Sequence, residues 1–265
     1  NAYVKPVEYY HLRKVSLKSI GLIIVAAIFL FIMADYVNAC SMIAFQNLLD
    51  DSLQAIVNKP VEALVVVAIL PAIIEEFLFR GMIYRGIANK SNKKIVIIIS
   101  ALLFAFLHMN FNQMCYAFVM GLVFAIVIYL TDNLSVSILL HMLFNAFTVI
   151  ITCFEKSNAI QAILQCNIAG YTLFNPSLTD TQGKIEISLL IIGGLIAILS
   201  AVIAGWLILL IAKTEKTTET TINNENILKD NDNIFKNNEN WKPDLRFFAG
   251  SGVCILIAIL YEILL

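Results

Sequence analysis

Three ionisable side chains interrupt a long apolar stretch of the sequence. Glu75, Glu76 and Arg80 lie in a largely apolar run that extends from about Val61 to Ile83. On insertion scales each charge near the centre of a bilayer costs roughly 2.5–3.5 kcal/mol, so such groups are usually retained for a function. The stretch is therefore the first candidate for a chemical site.

Helical spacing separates the two glutamates. Adjacent residues of a helix point about 100° apart, whereas Glu76 and Arg80 are four residues apart with the acid first, the favoured order for an ion pair. We predict a Glu76–Arg80 pair that faces protein and a Glu75 that is left to face a cavity. Pro71 removes a backbone hydrogen bond to residue 67 and is expected to kink the helix. A purely structural salt bridge beside a protonated glutamate is the alternative.

Two further polar motifs occur in later apolar runs. His108 follows Phe104 by four residues, and Asn145 follows His141 by four, so the members of each pair share a helix face. Together with Glu75 they supply a general base, a second imidazole and groups that can donate to an oxyanion, which is a hydrolytic set. Taken singly, each could equally be a packing histidine or an amide that joins helices.

Composition defines the class of protein that must position these residues. The 265-residue chain is 60% hydrophobic and 14% charged, with a mean hydropathy of +0.83. These values are far too apolar for a soluble domain of this size. A net charge of −1 gives no basic footprint for nucleic acid. The sequence predicts an all-α, polytopic transmembrane helix bundle with a polar catalytic cavity inside the lipid bilayer.

About seven spans are expected, in a single domain of residues 1–265 whose motif core is 61–155. The predicted spans are residues 20–37, 61–83, 95–109, 114–130, 134–154, 187–212 and 247–265. Residues 213–246 are rich in Asn, Lys, Glu and Thr and are predicted to form a flexible polar loop. The candidate residues of spans two, three and five fall at overlapping depths within a hydrocarbon layer of about 30 Å.

The distribution of basic residues predicts an orientation. They cluster before the first span, after the second and after the sixth, so the positive-inside rule predicts a cytoplasmic N-terminus and an outer C-terminus. The sequence has no apparent cleavable signal peptide. Abundant Ile, Asn and Lys and short loops favour a bacterial plasma membrane.

The polar motifs together resemble a known family, the CAAX protease and bacteriocin-processing family, also called Abi, which includes the CAAX prenyl endopeptidases. The resemblance rests on three motifs in this order along the chain: Glu75-Glu76-x-x-x-Arg80, Phe104-x-x-x-His108 and His141-x-x-x-Asn145. It covers residues 75–145 and implies an intramembrane glutamate-type endopeptidase. It also implies that Glu76 and Arg80 orient the site, in line with the pairing predicted above.

The resemblance further implies a role for each remaining residue. By position, Glu75 and His108 would hold and activate a water, and His141 and Asn145 would stabilise the tetrahedral oxyanion. No cofactor is implied. The expected substrates are small peptide or protein precursors, such as a pheromone, a bacteriocin leader or a CAAX-like C-terminus.

Two other functions remain open at this point. His108, His141 and Glu75 could be the ligands of a catalytic zinc, although no H-E-x-x-H pattern occurs and Asn145 suits an oxyanion better than a metal. Buried Glu, His and Arg side chains also mark ion pathways. The chain could therefore be a transporter, or an immunity protein that binds a bacteriocin or its receptor.

Overall fold

A computed structural model describes residues 9–45, 56–88, 92–181 and 183–229 of the chain. The helices are α1 Leu17–Met42, α2 Pro60–Ala63, α3 Leu70–Glu76, α4 Arg85–Ala88, α5 Lys93–Leu107, α6 Phe111–Thr131, α7 Leu134–Cys153, α8 Asn158–Leu164 and α9 Ile187–Lys229. Two π-helical segments, π1 Leu64–Ile69 and π2 Phe77–Tyr84, join α2, α3 and α4 into one composite helix. The described strands, β1 Asn167–Ile168 and β2 Tyr171–Thr172, pair antiparallel. The predicted all-α class is confirmed.

Apolar helices long enough to cross a membrane make this a helical membrane protein. In the described part of the chain, four segments meet that criterion: α1, α6, α7 and the Ile187–Thr218 part of α9. Their outer faces carry large exposed apolar side chains, among them Ile24, Leu199 and Trp206, which suit contact with lipid. The composite helix 60–88 and the shorter α5 correspond to the second and third predicted spans. The span predicted at 247–265 lies outside the described residues, so the number seven stays a prediction.

The composite helix departs from α-helical winding on both sides of the two glutamates. Segment π1 lies directly before α3, whose second residue is Pro71, and π2 begins directly after Glu76. Proline cannot donate a backbone hydrogen bond, and its ring crowds the preceding turn; a wider turn accommodates both effects. The structure thus has a wide turn where the sequence predicted a kink. Such π-helical turns occur frequently at functional sites.

Helix α9 continues beyond its apolar part. Residues 213–229 are helical, so the prediction of a flexible loop over 213–246 is wrong for this part. The reason is a tertiary anchor: Glu215 is buried, and its carboxylate accepts hydrogen bonds from the backbone N–H of Ser16 at 3.3 Å and from Nδ2 of Asn133 at 3.0 Å. Residues 230–246 lie outside the described part of the chain.

Helix packing leaves the candidate residues where four elements meet. Helix α1 packs along α9 and also contacts α6 and α7, while α7 lies against the composite helix and α5 lies against α6. The α5–α6 contact is close at Gly121, where a Cβ would lie 3.0 Å from the Cα of Ala101. The composite helix, α5, α6 and α7 therefore surround the polar motifs.

At one end of the bundle, a half-buried carboxylate joins three segments of the chain. Asp132, in the turn between α6 and α7, interacts with Nδ1 of His11 at 2.6 Å, Nη2 of Arg13 at 3.2 Å and Nη1 of Arg85 at 2.9 Å. Its φ of +49° is a left-handed conformation that Asp tolerates. Partial burial alone would raise the pKa of Asp132, but the hydrogen bond from His11 and the charge of Arg85 outweigh it and lower that pKa. The N-terminal segment, the end of the composite helix and this turn thus share one end of the bundle.

Candidate active site

Glu76 is the centre of a buried polar cluster. Its carboxylate accepts hydrogen bonds from Nη1 of Arg80 at 2.8 Å, from Oγ of Ser137 at 2.7 Å and from Nδ1 of His141 at 3.0 Å. The predicted pair with Arg80 is present, and both of its side chains are fully buried. Because both carboxylate oxygens have partners, the orientation of Glu76 is fixed and its burial is compensated.

Arg80 extends from the composite helix to α6. Its Nη2 donates to the carbonyl oxygen of Gly121 at 3.0 Å. The guanidinium carbon lies 4.4 Å from the ring centroid of Phe104 and 5.2 Å from that of Phe124. A desolvated guanidinium is stabilised by such cation–π contacts. The charge of Arg80 is therefore balanced by Glu76 and enclosed by aromatic rings.

His141 connects the two glutamates. Its Nδ1 donates to Glu76, and its Nε2 lies 3.9 Å from Oε2 of Glu75. A carboxylate paired with arginine accepts hydrogen bonds only, so we assign the Nδ1 atom a proton. The imidazole stacks on Phe124, with ring centroids 4.6 Å apart and planes at 21°. The ring is thus oriented by Glu76 and Phe124, and Nε2 is the atom turned toward Glu75.

Glu75 is part of this cluster. Its side chain is buried, with 5% of the residue exposed, and lies beside the His141 imidazole. The separation of 3.9 Å exceeds a direct hydrogen bond, and catalytic contacts often shorten only when substrate is bound. The neighbours Glu75 and Glu76 therefore approach opposite nitrogens of one imidazole, as their different directions on the helix require.

His108 joins the cluster through an aromatic ring. Its Nδ1 donates to the backbone carbonyl of Phe104 at 3.0 Å, one turn earlier at the end of α5. The ring centroid of Phe104 lies 5.2 Å from that of His108 and 5.7 Å from that of His141. With its hydrogen on Nδ1, a neutral His108 presents Nε2 as a hydrogen-bond acceptor.

Asn145 lies one turn beyond His141 on α7, and its bond goes to the composite helix. Its Nδ2 donates to the carbonyl oxygen of Val67 in π1 at 3.3 Å. In a regular α-helix that carbonyl would accept from residue 71, which here is Pro71 and has no N–H. The structure therefore places Asn145 beside the glutamate-bearing helix, one turn along α7 from His141.

Sequence reasoning missed three members of the cluster: Ser137, Gly121 and Phe124. Ser137 had a readable signal, since it precedes His141 by four residues and continues the stripe that ends at Asn145. Gly121 contributes a backbone carbonyl, and Phe124 a ring in an apolar helix, and neither has a distinguishing sequence pattern.

The zinc hypothesis requires His108, His141 and Glu75 to converge on one ion. Among the described residues, no group of three His, Cys, Asp or Glu side chains is arranged to hold a metal. The Nδ1 atoms of the two histidines bond to Phe104 and Glu76, so only their Nε2 atoms would be available as ligands.

The chain resembles known membrane proteases over the segment that carries the cluster. The family model described as type II CAAX prenyl endopeptidase, Rce1-like, matches residues 57–147. This segment contains all six predicted residues, and the resemblance to the CAAX protease family drawn from the three motifs is confirmed there.

A curated relative agrees with this match. The membrane-embedded CAAX protease MroQ of Staphylococcus aureus strain USA300 is 34% identical to the chain over 116 residues. The aligned part is 42% of this chain and 47% of the relative, so the chain spans about half of the length of that protein. No solved structure gives a significant match.

Proposed function

We propose that the chain is an intramembrane glutamate-type endopeptidase in which Glu75 is the general base toward water. The observation that carries the proposal is the position of His141, whose Nδ1 is held by Glu76 while Nε2 faces Glu75. An oriented imidazole beside a buried second carboxylate is an acid–base pair suited to hydrolysis. The similarity to CAAX proteases over the same segment gives independent support.

The first step is addition of water to the scissile carbonyl. Glu75 and Nε2 of His108 hold the water by accepting hydrogen bonds from it. Glu75 takes a proton from the water as the water oxygen attacks the carbonyl carbon. Nε2 of His141 lies 3.9 Å from Oε2 of Glu75 and would receive that proton when the contact shortens in the substrate complex. The imidazole can then donate to the oxyanion, together with the second amide hydrogen of Asn145.

The second step breaks the peptide bond. As the tetrahedral intermediate collapses, the C–N bond cleaves and the leaving nitrogen takes the proton from the Glu75–His141 pair. The products are a carboxylate and an ammonium, equivalent to an acid and an amine, and the site returns to its starting protonation. Glu76 and Arg80 hold His141 in place throughout and exchange no proton. No metal or other cofactor is required in this scheme.

The substrates we propose are peptides or small protein precursors that enter the membrane, such as a pheromone, a bacteriocin leader or a CAAX-like C-terminus. The cluster lies between membrane helices, so a substrate must present an extended segment within the bilayer. We propose that residues 1–265 act as a single domain with 61–155 as its core.

Cleavage of candidate peptides by the purified protein in lipid nanodiscs tests the proposal. Mass spectrometry should detect products with wild type and a loss of at least about 100-fold with Glu75→Gln, because removal of a general base costs about 10²–10⁴ in rate. Glu62→Gln is the matched control, since Glu62 is an exposed glutamate at the start of the same composite helix, and it should cleave like wild type.

Three outcomes would argue for other functions. Full activity of Glu75→Gln would remove the mechanism. Activity that is lost with a chelator and restored by zinc would favour a metalloprotease. A bacteriocin-immunity or transport phenotype that survives Glu75→Ala, with no peptide cleaved by wild type, would favour a non-enzymatic protein.

We propose a plasma-membrane location with the N-terminus in the cytoplasm. Arg13 and Arg85 meet at Asp132, so the basic segments before the first span and after the second share one end of the bundle, as the positive-inside rule requires. In intact cells that produce a protein whose native cysteines are replaced by serine, a membrane-impermeant thiol reagent should label Glu186→Cys and leave Lys14→Cys unlabelled. The reverse pattern would contradict this orientation.

A further inference from the structure

A cleft of about 340 Å³ lies between α1 and α7. Its α7 wall consists of five residues on one side of the helix and just beyond its end: Phe144, Thr148, Ile151, Thr152 and Glu155. By helical spacing these positions lie within about 80° of the direction of His141. The cleft is therefore a continuation of the face that carries His141 and Asn145. At about 1.5 Å per residue, Glu155 lies roughly 21 Å along the axis from His141.

The end of the cleft near Asp35 and Glu155 carries several hydrogen-bond acceptors. Asp35 on α1 and Glu155 supply two carboxylates, and the described lining includes no Lys, Arg or His. Oδ1 of Asn38, also in the lining, is a buried atom that has no hydrogen-bond partner among the described residues. A carboxylate oxygen of Asp35 accepts from the backbone N–H of Asn175 at 3.0 Å, which fixes its position. A buried acceptor without a donor is costly, so this end of the cleft suits a ligand that brings N–H groups and positive charge.

We propose that this cleft, hereafter the acidic cleft, binds a cationic residue of the substrate peptide and so aligns the peptide with Glu75 and His141. The inference rests on the proposed peptidase function and names its substrate class: peptides with a lysine, an arginine or a free terminal ammonium beside the cleaved segment. An extended chain advances about 3.3 Å per residue. The distance along α7 therefore places the cationic residue about six residues from the scissile bond.

Steady-state cleavage by the protein in nanodiscs tests the proposal with matched peptides. One peptide carries lysine six residues from the cleaved bond, and the other carries glutamine there. The double variant Asp35→Asn, Glu155→Gln keeps the shapes of both side chains, and the Asn oxygen can still accept from Asn175. We expect KM for the lysine peptide to rise about tenfold with kcat within about twofold, and KM for the glutamine peptide to stay unchanged.

The control variant is Glu186→Gln, which removes an exposed acid outside the acidic cleft at the same end of the bundle. It should leave both KM values unchanged. Glu155→Lys should reverse the preference in favour of a peptide with glutamate in place of lysine. Equal KM values for the two peptides with wild type, or an equal rise for both with the double variant, would overturn the acidic cleft while the peptidase function stands.

Binding gives a second readout that does not depend on turnover. A fluorescent lysine peptide should bind the Glu75→Gln protein about tenfold more tightly than the glutamine peptide, and the difference should vanish when Asp35→Asn and Glu155→Gln are added. If wild type cleaves no peptide but this difference is found, the proposed function fails and the cationic site stands. If the Glu75→Gln protein binds both peptides equally, the cationic site fails.

Discussion

Asn145 donates its side-chain amide to the backbone carbonyl of Val67, 3.3 Å away and four residues before Pro71. Pro71 has no N–H, so the donor that a regular α-helix would offer to the Val67 carbonyl is absent. The bond therefore joins α7 to the composite helix at its wide turn. Since His141 lies one turn from Asn145 and Glu75 follows Pro71 by four residues, the same bond helps to set the distance between the imidazole and the carboxylate.

Replacement of Asn145 should affect both stability and activity. Asn145→Ala removes an interhelical hydrogen bond, which within a membrane contributes about 0.6–2 kcal/mol, so its unfolding temperature in detergent should fall. If the amide also donates to the oxyanion, kcat should fall about 100-fold or more while KM changes little. An unfolding temperature equal to that of wild type would show that the bond to Val67 contributes nothing to stability.

The protein should be less destabilised by loss of both Glu76 and Arg80 than the separate losses of each would suggest. Glu76→Gln or Arg80→Met alone leaves a buried uncompensated charge, which costs about 3–5 kcal/mol. The double variant removes both charges and should be less destabilised than the sum of the two single variants. Chemical unfolding in mixed micelles measures the coupling, and purely additive effects would contradict the ion pair.

Gly121→Ala should separate α5 from α6. The added Cβ would meet the Cα of Ala101 at 3.0 Å, a backbone atom that cannot rotate away, so overpacking of about 1–3 kcal/mol is expected. Gly205→Ala in α9 is the control, because nothing lies within 4 Å of its Cβ position. Thermal unfolding should show a loss only at Gly121; an equal response of both variants would contradict the close contact.

Because of Asp132, the stability of the protein should decrease at acid pH. Its pKa is lowered in the folded state from an ordinary value of 3.8. The contribution of ionised Asp132 to the free energy of unfolding is therefore complete above pH 3.8. It is lost as the pH falls through the lower folded-state pKa. Asp132→Asn, which keeps a residue suited to the left-handed backbone, should be less stable than wild type near neutral pH.

The difference between wild type and Asp132→Asn should shrink as the pH falls below 3.8. Thermal unfolding of both proteins over a pH series measures it. A difference that stays constant with pH would show that the negative charge of Asp132 makes no net contribution.

Sequence spacing predicted the contacts that lie within one helix. The Glu76–Arg80 pair follows from four-residue spacing alone, and the helical class follows from composition. The position of His141 between two glutamates could not be predicted in this way, because it depends on how α7 is placed against the composite helix. The hydrogen-bond partner of Asn145 could not be predicted for the same reason. The sequence did predict that Pro71 would leave the carbonyl of residue 67 without its usual α-helical donor.

The misread segments also have physical explanations. Residues 213–229 are polar, as a flexible loop would be, yet they are helical, and the buried contacts of Glu215 come from residues far away in the sequence. Adjacent residues diverge on a helix, so the sequence did not predict that Glu76 would contact the same imidazole as Glu75. The imidazole has two nitrogens on opposite edges, and divergent carboxylates can both reach it.

If the junction of Glu215 with Ser16 and Asn133 lies at one boundary of the hydrocarbon layer, it sets the depth at which the bundle sits in lipid. Twenty residues of helix rise about 30 Å, the thickness of the hydrocarbon layer. Measured from that junction, the far boundary falls near Leu195 on α9 and near Asp35 on α1. The hairpin that contains Tyr171, which packs against Gly193, then stands among the lipid headgroups. Asp35 and the acidic cleft then lie at that boundary, so a peptide that extends inward from the aqueous phase would meet the acidic cleft before its inner segment reaches Glu75 and His141.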